Sequence, residues 1–150
     1  MDILTEYLVK TKTRLTYEKL LSYVWHDKQV QDKIIELNTI GQLFNKGQRS
    51  DESFLDDYAI SSVRDYGKPD GAIKLYDTGD FYRSFSVLVE GVNAEISADP
   101  IKITEQGQRI DLFKEYGEDI VGLTEISKQE LREVIRIPIQ RFNKRGLSVN

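Results

Sequence analysis

The stretch whose residue types could do chemistry is Leu75-Tyr76-Asp77-Thr78-Gly79-Asp80-Phe81-Tyr82-Arg83-Ser84-Phe85. A carboxylate fixed on a tight turn can share a proton with its copy in a second subunit, and Asp77 is placed for that. The same residues also make a structural turn. Asp77 and Thr78 can each fold a side-chain oxygen back onto a nearby backbone N–H, and Gly79 can take a positive φ. Other constellations are weaker. His26 is the only histidine, which excludes a multi-histidine site. Asp51, Glu52, Asp56 and Asp57 lack the spacing and central glycine of a calcium loop, so no metal is expected. No phosphate-cradling glycine motif is present, and no cofactor is expected. Trp25 and the tyrosines read as core and interface residues rather than a ligand cage.

The elements that must position this turn follow from periodicity. Beyond Gly79 the residues Phe81, Arg83, Phe85, Val87 and Val89 alternate with Tyr82, Ser84, Ser86 and Leu88, which predicts a strand running to about Val89. Glu90-Gly91-Val92-Asn93 then reads as a hairpin connection into Ala94–Ala98. Ile73–Tyr76 offers a third strand, and Ile101 with Ile103 an edge segment after Pro100. On the amino-terminal side, Ile3, Leu4, Tyr7 and Leu8 form a short amphipathic turn or helix. Tyr17, Leu20, Leu21 and Val24 repeat at helical spacing, with Thr16 as candidate N-cap. A third helical run places Val30, Ile34, Leu37, Gly41 and Phe44 on one face, from near Asp27 to a left-handed cap at Gly47.

Residues 48–72 lose periodicity and read as a long surface connection, with one helical turn around Ser61–Tyr66 and a closing turn at Lys68-Pro69-Asp70-Gly71. Asp56 and Asp57 on this connection are candidate interface residues. Leu112, Phe113 and Tyr116 suggest a short helix capped by Gly117. Ser127 with Glu130 has capping-box spacing, and Leu131, Val134, Ile135, Ile139 and Phe142 line one face of the strongest helix. Pro138 sits on that face, and the apolar pattern continuing past it favours a kink over a break. Lys128, Arg132, Arg136 and Lys144 lie at multiples of four along the flank as a basic stripe, of which Arg132, Arg136 and Lys144 are candidate interface residues.

These readings give an α+β fold in one domain: a helical part over 1–47, a long connection over 48–72, a small antiparallel sheet of three to four strands over 73–104, and carboxy-terminal helices over 108–145. The absence of cysteine fits a reducing compartment. No apolar run reaches the roughly 20 residues of a membrane span, and the acidic start does not read as a signal peptide, so the chain is expected to be made in the cytosol and to act away from membranes. Charge is uneven. Lys128–Arg145 holds six basic and two acidic residues, an excess of four, so the rest of a chain of net charge -4 carries -8. A nucleic-acid binder would need a broadly basic surface; an acidic body with one basic helix suits contact between subunits.

The run Leu75–Phe85 resembles the "leucine, one or two residues, Thr-Gly, apolar, two residues, Ser, apolar" signature of bacteriophage virion-morphogenesis and tail-completion proteins. Tyr116-Gly117-Glu118-Asp119-Ile120-Val121-Gly122-Leu123-Thr124 is similar to the loop ending in Gly-Leu-Ser/Thr before that family's last helix. The order of parts agrees over roughly residues 28–145, although Pro138 and the added amino-terminal helical residues depart from the pattern. The resemblance implies a non-enzymatic neck protein of the virion, a head-tail connector or tail-completion subunit. It would form a ring, sixfold or twelvefold, between portal or adaptor and tail, with DNA passing the lumen without specific binding. It implies no catalytic residues; Thr78, Gly79 and Ser84 correspond to turn and strand positions.

Asp77-Thr78-Gly79 is also similar to the active-site triplet of retroviral-type aspartic proteases. Two features separate it from them: Asp80 stands where those enzymes have Ala or Ser, and helices dominate both ends of this chain. A second charge beside the shared proton would disturb it. A third reading is a prophage-encoded interaction module with no virion role.

Overall fold

A computed structural model describes residues 3–58, 64 and 71–147; for 7–14, 146 and 147 only the backbone is described. The fold is α+β. Helix α1 spans Ile3–Trp25, so the two helical pieces expected before His26 are one. It ends where Asp27 turns extended (φ -66°, ψ 123°) and caps α2, Lys28–Glu36, by accepting from the Val30 N–H at 3.1 Å. The helix continues as a π-segment, Leu37–Phe44, and Gly47 beyond it is left-handed, as expected of the cap.

The clearest departure from the expected strand lies at Phe81. Asp80–Arg83 is one helical turn, α3, and the strand begins only at Ser86. Phe81, Tyr82 and Phe85 are all buried. Two consecutive buried aromatics are incompatible with strand alternation but natural on a helical turn, where residues i and i+4 stack. The Phe81 and Phe85 rings do meet edge to face at 5.1 Å.

Strands β1 (Ser86–Glu90) and β2 (Asn93–Ser97) pair antiparallel through the two-residue Gly91-Val92 loop, with Val87 opposite Ile96. Strands β3 (Ile101–Ile103) and β4 (Arg109–Asp111) form a second ladder, Lys102 opposite Ile110. The four strands are thus two separate hairpins, not one continuous sheet. Ile73–Tyr76, expected as a further strand, is irregular, because Leu75 has a φ of 56° that extended backbone cannot accommodate.

Helix α4 is Leu112–Tyr116, N-capped by the Asp111 carboxylate and followed by Gly117, as expected. A 3₁₀ turn (Glu118–Ile120) leads to α5, Glu125–Leu147, which runs without a break through the buried Pro138. Its cap lies three residues earlier than the expected Ser127–Glu130 box. Thr124 Oγ1 accepts from the Ser127 N–H at 3.2 Å, and Ser127 is buried rather than capping.

Part of the 48–72 connection is tied down. Isolated bridges join Gln48 to Phe54 and Asp57 to Ala72, Leu55 is buried, and the Leu55 N–H donates to Gly47 O at 2.7 Å. Arg49 donates from Nε to Tyr116 O at 2.7 Å and from Nη1 to Phe54 O at 2.8 Å. Apart from Arg64, the expected turn at Ser61–Tyr66 lies outside the described residues, as does Lys68-Pro69-Asp70.

Two apolar clusters make the core. One gathers Leu43, Leu55, Phe81, Tyr82, Phe85, Leu112 and Ile120; the other gathers Val24, Val30, Ile34, Leu37 and Leu131. Ile96 packs against both, so the β1–β2 hairpin bridges them.

Candidate interaction site

The Thr-Gly turn is built as a structural device, with roles distributed differently from expectation. Gly79 has φ 84°, which demands glycine, and a Cβ there would have to displace Arg83 Nη1 at 2.9 Å and crowd the Tyr76 ring at 3.2 Å. The side chain that folds back is Thr78: its Oγ1 accepts from the Asp80 N–H at 3.3 Å and donates to Asp80 Oδ2 at 2.7 Å. The Thr78 hydroxyl, and then the Arg83 guanidinium, hold the Asp80 carboxyl below the usual carboxylate range. Asp77 accepts from Lys102 on β3, with Nζ donating to Oδ2 at 2.5 Å, so the turn is tied to the second hairpin.

Behind the turn, Tyr82 donates its hydroxyl to Lys74 O at 2.5 Å. Burial pushes the Tyr82 phenol pKa upward, and Tyr116 is raised for the same reason. Ser84 Oγ donates to Phe81 O at 2.6 Å and accepts from the Asp99 N–H at 3.0 Å, joining α3 to the chain between the hairpins.

The Gly122-Leu123-Thr124 loop is held by two buried amides that sequence reading missed. Asn38 donates from Nδ2 to Ile120 O at 3.1 Å and accepts at Oδ1 from the Gly122 N–H at 2.8 Å. Gln42 donates from Nε2 to Gly122 O at 2.8 Å and accepts at Oε1 from the Thr124 N–H at 2.9 Å. Each amide thereby donates and accepts, as a strand would against the loop backbone. Their presentation comes from the π-segment, whose i→i+5 winding buries Leu37, Asn38, Thr39, Gln42 and Leu43 together. At Gly122, φ is 138° and a Cβ would lie 2.9 Å from Ser50 Cβ, so the loop closes on the start of the connection. The signal available in sequence was a pair of amides four apart inside an apolar helical run.

Beside this loop lies an open apolar groove of about 450 Å³. Its walls are Trp25 at the end of α1, Ile34 of α2, Val87 and Ile96 of the hairpin, and Leu123 and Leu131 leading into and along α5. Trp25 is fixed by donating Nε1–H to Val92 O at 3.0 Å. Lys128 and Glu95 stand among the lining residues, and Lys128 also pairs with Glu125 at 3.0 Å.

The remaining interface candidates are exposed on separate elements. Arg132, Arg136 and Lys144 lie on the outer side of α5, where Arg136 pairs with Glu133 at 3.1 Å. Asp56 and Asp57 lie on the connection, their backbones tied to Ala72–Ile73. Large apolar side chains are exposed on several elements: Ile3 and Leu4 of α1 (88% and 67%), Phe54, Leu88, Ile103, and Ile126 and Ile137 of α5. Among the described residues no group of three or more His, Cys, Asp or Glu could hold a metal, and no helix is long and apolar enough to cross a membrane. No protein-family model, curated protein or solved structure matches the chain.

Proposed function

We propose that the chain is a non-enzymatic structural protein of a bacteriophage virion, a head-tail connector or tail-completion subunit of the neck. In this reading copies form a ring joining portal or adaptor to tail. The acidic body lines or flanks a passage through which DNA moves without being gripped. The observation that carries the reading is the pair of motifs bearing the family resemblance, the Thr-Gly turn and the Gly-Leu-Thr loop, each used by the fold as an internal brace. The exposed apolar side chains of α1, the connection, the hairpins and α5 are available for contacts with neighbouring subunits. The test is deletion of the gene in the phage or prophage that encodes it. Filled heads and free tails should accumulate unjoined, and purified chain added to the lysate should restore joined particles. Normal infectious particles without the chain would overturn the reading in favour of an interaction module with no virion role.

A further inference from the structure

The geometry points to a head-to-tail contact between copies, in which the first turn of α1 in one copy seats Ile3 and Leu4 in the apolar groove of the next. The inference deepens the proposed function and rests on it for the occupant being a second copy. Ile3 and Leu4 are among the most exposed large apolar side chains of the described residues, at the tip of a 23-residue helix whose other end, Trp25, forms a wall of the groove. At 1.5 Å per residue the tip lies about 33 Å from that wall, so an unbroken helix cannot return to its own groove. A second copy can reach it. Surface that differs between the two partners of a contact makes it heterologous, and such contacts close into rings or run on as filaments.

Size and charge agree. A groove of about 450 Å³ is within the range of clefts that bury apolar ligands and has room for a few aliphatic side chains. The first turn of α1 brings Glu6, while the α5 side of the groove brings Lys128 and, one turn on, the exposed Arg132, which has no ion pair among the described residues. Glu95 on the hairpin side sets the opposite sign there, so the entering helix is oriented toward α5.

The test uses the full chain in sedimentation velocity over a concentration series. Leu4→Glu disables the tip and Ala94→Trp fills the groove from the β2 wall, with circular dichroism to check folding. Each variant alone should lose at least about tenfold in association constant. Mixed, they should form a dimer and stop there, since only one intact tip and one intact groove remain. Should Ala94→Trp fail to fold, the absence of cysteine allows a second measurement, oxidation of Ile3→Cys mixed with Ala94→Cys. That pair should cross-link between copies well above Ile3→Cys mixed with Ser86→Cys, since Ser86 is exposed on the hairpin's other face. Variants that associate like wild type, or equal cross-linking of both pairs, overturn the contact. So does a wild-type chain that stays monomeric throughout or binds lipid vesicles through its tip; the neck reading is then still decided by the deletion phenotype.

Discussion

Gly79 shows how much one atom matters at the turn. Valine there would add a β-branched side chain where φ is 84° and Arg83 already lies within 2.9 Å of the Cβ position. Gly79→Val should cost about 2 kcal/mol or more in urea denaturation. Asp77→Ala, which removes the exposed ion pair with Lys102, should cost about 1 kcal/mol or less. Tyr82 adds a dependence on pH. Its phenol is buried and donates to Lys74 O, and its folded pKa lies above the unfolded value near 10. Above that value the unfolded chain gives up the Tyr82 proton while the folded chain keeps it. Stability is therefore full below about pH 10 and falls as pH rises toward the folded pKa. Tyr82→Phe lacks this loss, so its deficit relative to wild type at neutral pH should shrink between about pH 9 and about pH 11 in pH-resolved denaturation.

At the scale of elements, the braced Gly-Leu-Thr loop is the joint between the amino-terminal helices and α5. Asn38→Leu or Gln42→Leu would leave two loop backbone groups without their partners. Each should cost roughly 2 to 4 kcal/mol, at about 1–3 per buried unsatisfied group with some rescue by water. The double variant should cost less than the sum, because the first loss already frees the loop; strict additivity in chemical denaturation would show that the amides act independently. Much of this level was legible in sequence. The face Val30, Ile34, Leu37, the Asp27 start, the Gly91-Val92 hairpin, the Gly117 stop and the α5 apolar face all arise from local periodicity and turn chemistry. What was not legible depends on distant partners. The amides of Asn38 and Gln42 meet carbonyls about eighty residues away, and α3 replaces a strand because burial of Phe81 and Tyr82 together outweighs a period-two pattern. The reach of Lys102 on β3 to the Asp77 carboxylate, 25 residues away in sequence, was likewise not legible.

For the whole molecule, the uneven charge should matter little to folding. Arg132 and Arg136 are exposed on α5, and reversing both to Glu should leave the thermal midpoint within a few degrees of wild type. In the neck reading the same double variant should fail to enter particles, because charges on a rim steer encounter. Counting the chain in purified particles by mass spectrometry, after assembly at low and high salt, checks this; wild-type copy number for the double variant would remove any role for the stripe.

The amide brace also sets a timetable. Its two halves are separated by 80 to 84 residues, so the π-segment is made long before the loop that pairs with it. On a ribosome adding about 5 to 20 residues per second, the amides made at positions 38 and 42 stay hydrated for roughly 4 to 16 seconds before Ile120–Thr124 even exists. Until then the first helices can pack on the β1–β2 hairpin but not close on α5. Any nascent chain released before Thr124 therefore carries an unclosed joint to the quality-control machinery.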